Sequence, residues 1–182
     1  EILEGGLNVT SIGRISSDAA WGSVNSDDPS LLVIDKSVLS FTPIGVQTTD
    51  RSFTMGTGAN GAALVANGVS QNDTVLIGYE NRDVFGLNSY LSVPIAFKDL
   101  GVRTLTLSGS GRGDNTFQLE MRDSAPGVSS GLMKAGQGTW VLNKAAPFSG
   151  ITTINDGTLV VTKNDALGTV GQSTVAEPLS DS

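Results

Sequence analysis

The polar side chains best placed to do chemistry lie on one short alternating segment. Along Phe117–Arg122 polar and apolar residues alternate, so a β-strand here would turn Gln118, Glu120 and Arg122 to one outer face. Some polysaccharide-cleaving enzymes with β-helical folds work from such faces, and general acid–base cleavage usually needs two carboxylates with separated pKa values. The segment offers one carboxylate and a guanidinium two residues away. We therefore interpret it as a solvated strand face and expect no catalytic residues.

A second candidate is the tripeptide Arg112-Gly113-Asp114, which lies within the glycine-rich segment 108–115. In a loop, it could present a guanidinium and a carboxylate to an integrin-type receptor. The alternative is an ordinary corner turn, because Gly and Asp are common in turns. Trp21 is a further candidate, as an aromatic platform on which a sugar could stack. The candidate ligand-binding residues are therefore Arg112, Gly113, Asp114 and Trp21.

Oxygen-rich residue pairs raise the question of calcium. These pairs are Asp27-Asp28, Asn72-Asp73, Asn155-Asp156 and Asn164-Asp165. Calcium takes about six to eight oxygen ligands, and the sequence has no strict Gly-Gly-x-Gly-x-Asp series to supply them. Asx turns explain the pairs without a metal. We therefore expect no metal and no cofactor, with calcium as the alternative.

The composition excludes several classes of protein. The 182 residues include no cysteine and no histidine, which removes disulfides, thiol nucleophiles, thiolate zinc sites and Ser-His-Asp triads. A formal net charge of −7 argues against a nucleic-acid partner, because phosphate binding needs clustered Lys and Arg. No stretch approaches the roughly 20 apolar residues of a membrane span. The sequence starts at Glu1 without a signal peptide, so we expect a mature protein or a piece of a longer one.

Short segments with apolar residues at every second position recur along the chain, and amphipathic helical windows do not. Turn clusters rich in Gly and Asn separate them, as at Gly56–Gly61 and Asn155–Gly157. This pattern predicts an all-β protein. The predicted strands are Leu31–Phe41, Arg51–Met55, Ala62–Ala66, Thr74–Tyr79, Leu91–Phe97, Arg103–Leu107, Thr116–Met121, Thr139–Leu142, Ile151–Ile154 and Thr158–Thr162.

An internal repeat indicates how the strands are arranged. Gly138–Lys144 recurs as Gly157–Lys163, an offset of 19 residues. A β-solenoid requires such recurrence, because each coil must place similar side chains above those of the previous coil. We therefore predict a right-handed parallel β-helix (β-solenoid) with three-sided coils of about 19–22 residues, spaced by roughly 4.8 Å.

The repeat also predicts which side chains face the core. Trp140 and Leu142 should point inward and stack beside Leu159 and Val161 of the following coil. The outward-facing residues of the first strand are then Thr139, Val141 and Asn143.

Residues 131–168 resemble a known repeat. Leu132–Leu142 and Pro147–Val161, followed by Asp165–Gly168, match the pattern L-x-K-x-G-x-G-T-L-x-L-x-G-x-N-x-Y-[ST]-G-x-T-x-[IV]-x-x-G-x-L. This pattern is that of the autotransporter-associated β-strand repeat, also called the passenger-associated transport repeat. The sequence departs from it in the middle, where Gly, Asn and Tyr are replaced by Lys144, Ala146 and Phe148.

The resemblance implies a β-helical passenger that is exported to the bacterial cell surface or released outside the cell. We divide the chain into irregular β-helical coils at 1–130, the repeat at 131–168, and a tail or link to the next segment or subunit at 169–182. The resemblance concerns the scaffold, so it names no ligand.

These observations favour a structural role, as a rigid stalk or adhesin scaffold rather than an enzyme. The expected partners are neighbouring β-helical segments or identical subunits stacked end to end, which would make the chain a subunit of an extracellular fibre. A host receptor or a glycan is a further expected partner. The alternative is a carbohydrate-active β-helix enzyme, a polysaccharide lyase or hydrolase.

Overall fold

The computed structural model describes residues 2–11, 29–78, 94–169 and 174–176. These residues form β-strands and one short 3-10 helix, Pro29–Leu31. None of the helical structure in them is long and apolar enough to cross a membrane. The strands are β1 (Ile2–Val9), β2 (Val33–Phe41), β3 (Val46–Thr49), β4 (Thr54–Met55), β5 (Gly58–Ala66), β6 (Thr74–Ile77), β7 (Ala96–Phe97), β8 (Arg103–Ser108), β9 (Asn115–Phe117), β10 (Ser130–Lys134), β11 (Thr139–Leu142), β12 (Thr152–Ile154), β13 (Thr158–Val161) and β14 (Thr174–Ala176).

All of these strands pair in parallel, and they form two sheets. The first sheet has the order β14-β12-β10-β8-β5-β2-β4-β7, with β1 also paired to β2. The second sheet has the order β13-β11-β9-β6-β3. The chain passes from one sheet to the other and back, and each strand pairs with the equivalent strand of the previous winding. This is the arrangement of a β-solenoid, so the predicted all-β, parallel architecture is confirmed.

The spacing between paired residues matches the predicted coil length in the C-terminal part of the chain. Thr139 pairs with Thr158, an offset of 19 residues, and Thr152 pairs with Thr174, an offset of 22. Some earlier offsets are longer. Ala63 pairs with Thr106, an offset of 43, so a uniform coil of 19–22 residues is wrong there. A parallel ladder fixes only which strands pair, and the connections between strands can therefore vary in length.

Every predicted strand overlaps an observed one, but four observed strands lie outside the predictions: β1, β3, β10 and β14. Their local signals are weak. Strand β10 contains Gly131, and its Lys134 occupies an inward position that normally carries an apolar residue. Strand β10 exists because it pairs with β8 and β12 on its two sides, which local propensity does not reveal.

The core runs between the two sheets as columns of stacked side chains. In the second sheet one column is Ile77, Phe117, Leu142 and Val161. Trp140 pairs with Leu159 in the neighbouring column, and both Trp140 and Leu142 are buried. The predicted inward stacking of these two residues is therefore confirmed. Val161 is 42% exposed, because β13 is the outermost strand of this sheet among the described residues.

Candidate functional site

A column of short turns joins the two sheets along one edge, and we call this column the turn rim. Its turns are residues 42–45, 67–73, 109–114, 135–138 and 155–157. The tripeptide Arg112-Gly113-Asp114 lies in the third turn. The turn rim therefore carries one of the candidate binding sites that the sequence indicated.

Successive turns of the rim pack backbone against backbone. The Gly138 amide donates to the Gly109 carbonyl oxygen at 2.8 Å, and the Gly111 amide donates to the Ala66 carbonyl oxygen at 2.9 Å. A Cβ atom at Gly138 would lie 2.7 Å from the Gly111 carbonyl oxygen. Glycine is required at this position because any other residue would push the two turns apart.

A buried asparagine connects three windings at the rim. The Asn115 side chain accepts a hydrogen bond at Oδ1 from the Val75 amide at 3.1 Å. Its Nδ2 donates to the carbonyl oxygens of Gly113 and Thr139, both at 3.1 Å. These partners belong to the preceding winding, to its own turn and to the following winding. One side chain thus satisfies its own polar atoms and aligns three rungs of the stack.

A buried lysine holds the next two turns together. Lys134 is fully buried, and its Nζ donates to the carbonyl oxygens of Ala135 at 2.8 Å, Gly136 at 2.5 Å and Asp156 at 3.0 Å. Burial lowers the pKa of Lys134, and the negative charge of Asp156 opposes this shift. The ammonium group therefore acts as a three-way donor that ties turn 135–138 to turn 155–157.

A buried arginine plays the corresponding role at the start of β8, the strand next to β10 in the first sheet. The Arg103 guanidinium donates to the carbonyl oxygens of Gly101 at 3.0 Å, Met55 at 3.0 Å and Asp99 at 2.5 Å. It also lies 4.5 Å from the centre of the Phe97 ring. Burial lowers the pKa of Arg103, and the Asp99 carboxylate opposes the shift. These contacts join β8 and the segment before it to Met55 of an earlier winding.

Sequence reasoning assigned no role to these two cations, although a signal was present. The alternating pattern places Arg103 on the same inward face as Leu105 and Leu107, and Lys134 on the same face as Leu132. A charged residue in an inward position is expensive to bury unless backbone or side-chain partners compensate it. A charged residue at an inward position of a strand was therefore the sequence signal that indicated the structural role of Arg103 and Lys134.

Asp73 uses its carboxylate to hold two turns of the rim. Oδ1 accepts from the Gly45 amide at 2.8 Å, and Oδ2 accepts from the Ser70 amide at 2.8 Å. The hydrogen bond from Gly45 is the main cause of the lowered pKa of Asp73, followed by those from Ser70. Within residues 2–11, 29–78, 94–169 and 174–176, no group of three acidic side chains converges as metal ligands would.

The predicted tripeptide divides into one buried and two exposed residues. Gly113 is buried, whereas Arg112 and Asp114 are exposed on either side of it. A Cβ atom at Gly113 would lie 2.4 Å from the Gln71 carbonyl oxygen of the preceding turn. The glycine therefore seats the turn, and the two charged side chains project from it.

In the alternating segment Phe117–Arg122, the two charged side chains lie on a solvent-exposed face. Glu120 Oε1 accepts from Arg122 at 2.7 Å, with both side chains partly exposed, whereas Leu119 and Met121, which alternate with them along the chain, are buried. The structure thus brings Glu120 and Arg122 together. Trp21 lies outside the described residues.

Parallel strands that stack in register around a glycine-rich rim define a solenoid scaffold, and the comparisons with known families give its type. Residues 132–161 match the model of the passenger-associated-transport-repeat family. The match falls inside 131–168, where the sequence resembles this repeat. The match confirms the predicted resemblance of this part of the chain to the passenger-associated transport repeat.

One relative matches almost the whole chain. The adhesin BmaC autotransporter of Brucella suis biovar 1 (strain 1330) is 33% identical over 171 residues, which is 93% of this chain. The chain spans about 4% of that relative's length, so the comparison concerns one segment of a much larger protein. No solved structure matches the chain.

Proposed function

We propose that this chain is a scaffold segment of an exported, surface-displayed passenger of the autotransporter type. The observation that carries the proposal is the uninterrupted parallel ladder from β1 to β14 in the first sheet, of which one winding is a passenger-associated transport repeat. Similarity to a segment of an autotransporter adhesin supports the same role. The scaffold would act without catalysis, by holding its surface loops at fixed positions outside the cell.

The mechanism of such a scaffold is geometric. Each rung hydrogen-bonds one backbone edge to the rung before it and offers the opposite edge to the rung after it, so every added winding contributes its own stability and that of a further interface. We propose right-handed winding, because crossovers between parallel strands of one sheet are almost always right-handed. We also propose three-sided coils that rise by roughly 4.8 Å per rung. An experimentally determined structure of the chain tests both proposals, and a left-handed or two-sided coil would contradict them.

Surface display tests the main proposal. The chain is placed between a signal peptide and a membrane-anchoring autotransporter barrel, and its exposure on intact cells is measured with an antibody and a protease. We expect a displayed chain that resists the protease except at loops. A chain that is displayed but digested as rapidly as an unfolded polypeptide would contradict the scaffold role.

A fibre is a second form of the same function. Solenoids end in open strand edges, which can pair with the equivalent edge of another copy. End-to-end stacking of identical subunits would then extend the ladder from one molecule to the next. Electron microscopy of the purified chain at rising concentration tests this form. Isolated monomers throughout the range would exclude it.

The alternative of a polysaccharide lyase or hydrolase depends on Glu120 and Arg122. Their mutual ion pair at 2.7 Å supports the scaffold role instead, because it occupies the only acidic side chain of the segment. A screen against acidic and neutral glycans, with Glu120→Gln and Arg122→Ala as controls, separates the two. Cleavage that is lost in both variants would replace the scaffold proposal by the enzymatic one.

A further inference from the structure

The exposed side chains of Arg112 and Asp114 lie on a turn whose backbone is held by hydrogen bonds. We infer that Arg112-Gly113-Asp114 is a binding site for a receptor that holds a divalent cation beside an acidic pocket, as integrin-type receptors do. The inference rests on the proposed surface display for its biological setting, while the binding itself is a property of the folded chain.

The turn that carries the tripeptide is fixed from below and from above. From below, the Gly111 amide donates to Ala66. From above, the Thr139 amide donates to the Gly111 carbonyl oxygen at 3.1 Å. The Asn115 side chain donates to the Gly113 carbonyl oxygen and so holds the centre of the tripeptide from inside the fold. Because the loop is already ordered, binding would cost less conformational entropy than it costs a flexible peptide.

The charged side chains are available for a partner. Among the described residues, neither the Arg112 guanidinium nor the Asp114 carboxylate has a hydrogen-bonding or ion-pair partner. Two other acidic side chains of the turn rim are engaged elsewhere: Asp73 accepts from the amides of Gly45 and Ser70, and Asp156 Oδ1 accepts from the Gly157 amide. The tripeptide thus keeps both charges free.

The fold requires the glycine of this tripeptide and neither of its charges. Gly113 seats the turn against Gln71, which accounts for the glycine as a corner residue. Arg112 and Asp114 contribute only backbone atoms, such as the Asp114 carbonyl oxygen that accepts from Thr116 Oγ1 at 3.2 Å. A corner turn alone would therefore accept many residues at positions 112 and 114.

The following turn of the rim leaves the tripeptide accessible. Arg112 and Asp114 are exposed although turn 135–138 packs directly against turn 109–114. A partner could then approach with a protein-held cation for the Asp114 carboxylate, since Mg²⁺, Mn²⁺ and Ca²⁺ favour oxygen ligands. A carboxylate of the partner would form a two-pronged hydrogen bond with the planar Arg112 guanidinium.

Binding of the purified chain to the ectodomain of an integrin that recognises Arg-Gly-Asp, measured in the presence of Mn²⁺, tests the inference. We expect saturable binding that EDTA abolishes and that a linear Gly-Arg-Gly-Asp-Ser peptide competes away. Asp114→Glu keeps the charge but moves the carboxylate outward by one methylene, and it should weaken binding at least tenfold. Arg112→Lys keeps the positive charge without the planar fork and should weaken it several-fold.

Both variants change exposed side chains, so their thermal unfolding should match that of the wild type and exclude misfolding as the cause. Lys144→Arg, a conservative change in another turn region, serves as the matched control and should bind like the wild type. Binding that is unchanged by Asp114→Glu, or absent in a folded wild-type chain, would overturn the inference. Neither result would affect surface display or protease resistance, which test the scaffold role separately.

Discussion

The indole N–H of Trp140 donates to the carbonyl oxygen of Ser108 at 2.8 Å, across two windings of the solenoid. Trp140 lies in the second sheet and Ser108 ends a strand of the first. The largest fully buried side chain of the described core therefore also supplies a polar contact between the sheets. This pairing explains how a bulky tryptophan occupies a position where the repeat usually has leucine.

Replacing Trp140 should reveal both contributions. We expect Trp140→Ala to lower the free energy of unfolding by roughly 3–5 kcal/mol, because it opens a large cavity. Trp140→Phe retains most of the apolar volume but leaves the Ser108 oxygen without its donor, at a cost of about 1–3 kcal/mol. Urea denaturation of the 182-residue chain measures both values. Equal losses for the two variants would contradict separate packing and hydrogen-bonding contributions.

Lys134 should be a stabilising clamp in spite of its buried charge. Lys134→Met preserves much of the side-chain volume but removes the donor from three carbonyl oxygens. Each carbonyl oxygen that is left buried without a donor costs about 1–3 kcal/mol. The variant also removes the buried ammonium charge, and the desolvation free energy that is thereby saved offsets part of this cost. We expect a net loss of about 2 kcal/mol in chemical denaturation. Lys163→Met changes an exposed lysine and is the control, which should leave the free energy of unfolding nearly unchanged. A Lys134→Met variant as stable as the wild type would show that the hydrogen bonds of Lys134 contribute no net stability.

Two glycines with the same backbone angle separate strain from steric contact. Gly45 and Gly136 both have φ of +65°. A Cβ atom at Gly45 would meet nothing within 4 Å, whereas one at Gly136 would lie 2.7 Å from the Gly109 carbonyl oxygen. Gly45→Ala should therefore cost only the left-handed strain of about 1–2 kcal/mol, and Gly136→Ala should cost clearly more. Thermal unfolding of both variants checks the order, and equal costs would show that the rim yields to an added methyl group.

The Asp73 carboxylate should make stability depend on pH on the acid side. Its pKa is lower in the folded protein than the ordinary value of 3.8, so the unfolded chain binds more protons as the solution is acidified. The contribution is thus complete above the ordinary pKa and is lost as pH falls through the lowered value. Asp73→Asn removes this dependence, so its deficit relative to the wild type should shrink between pH 7 and pH 3.

Urea denaturation midpoints at several pH values measure this deficit. Asp114→Asn changes an exposed carboxylate of the same rim and is the control for a general charge effect. A deficit for Asp73→Asn that stays constant with pH would rule out the contribution of the carboxylate hydrogen bonds from Gly45 and Ser70.

The sequence predicted the part of the fold that repeats. The recurrence of Gly138–Lys144 at Gly157–Lys163 gave the register of β11 on β13, in which Trp140 faces Leu159. The alternation along Phe117–Arg122 likewise indicated the buried and exposed sides around Glu120. Such patterns are readable because a stacked strand must bury every second side chain, whatever its neighbours are.

The sequence by itself thus determined an all-β chain of stacked strands and the inward residues of its C-terminal windings. Only the tertiary structure decided the long offsets between earlier strands, the formation of β3 and β10, and the hydrogen bonds of buried side chains. Asn115 and Lys134 use these bonds to hold the turn rim, and Arg103 uses them to join two windings. These features depend on contacts between residues about 20 to 50 positions apart, which fix pairing through hydrogen bonds that leave no local pattern. The same applies to Arg112 and Asp114, whose free charges became apparent only once the turns around them were in place.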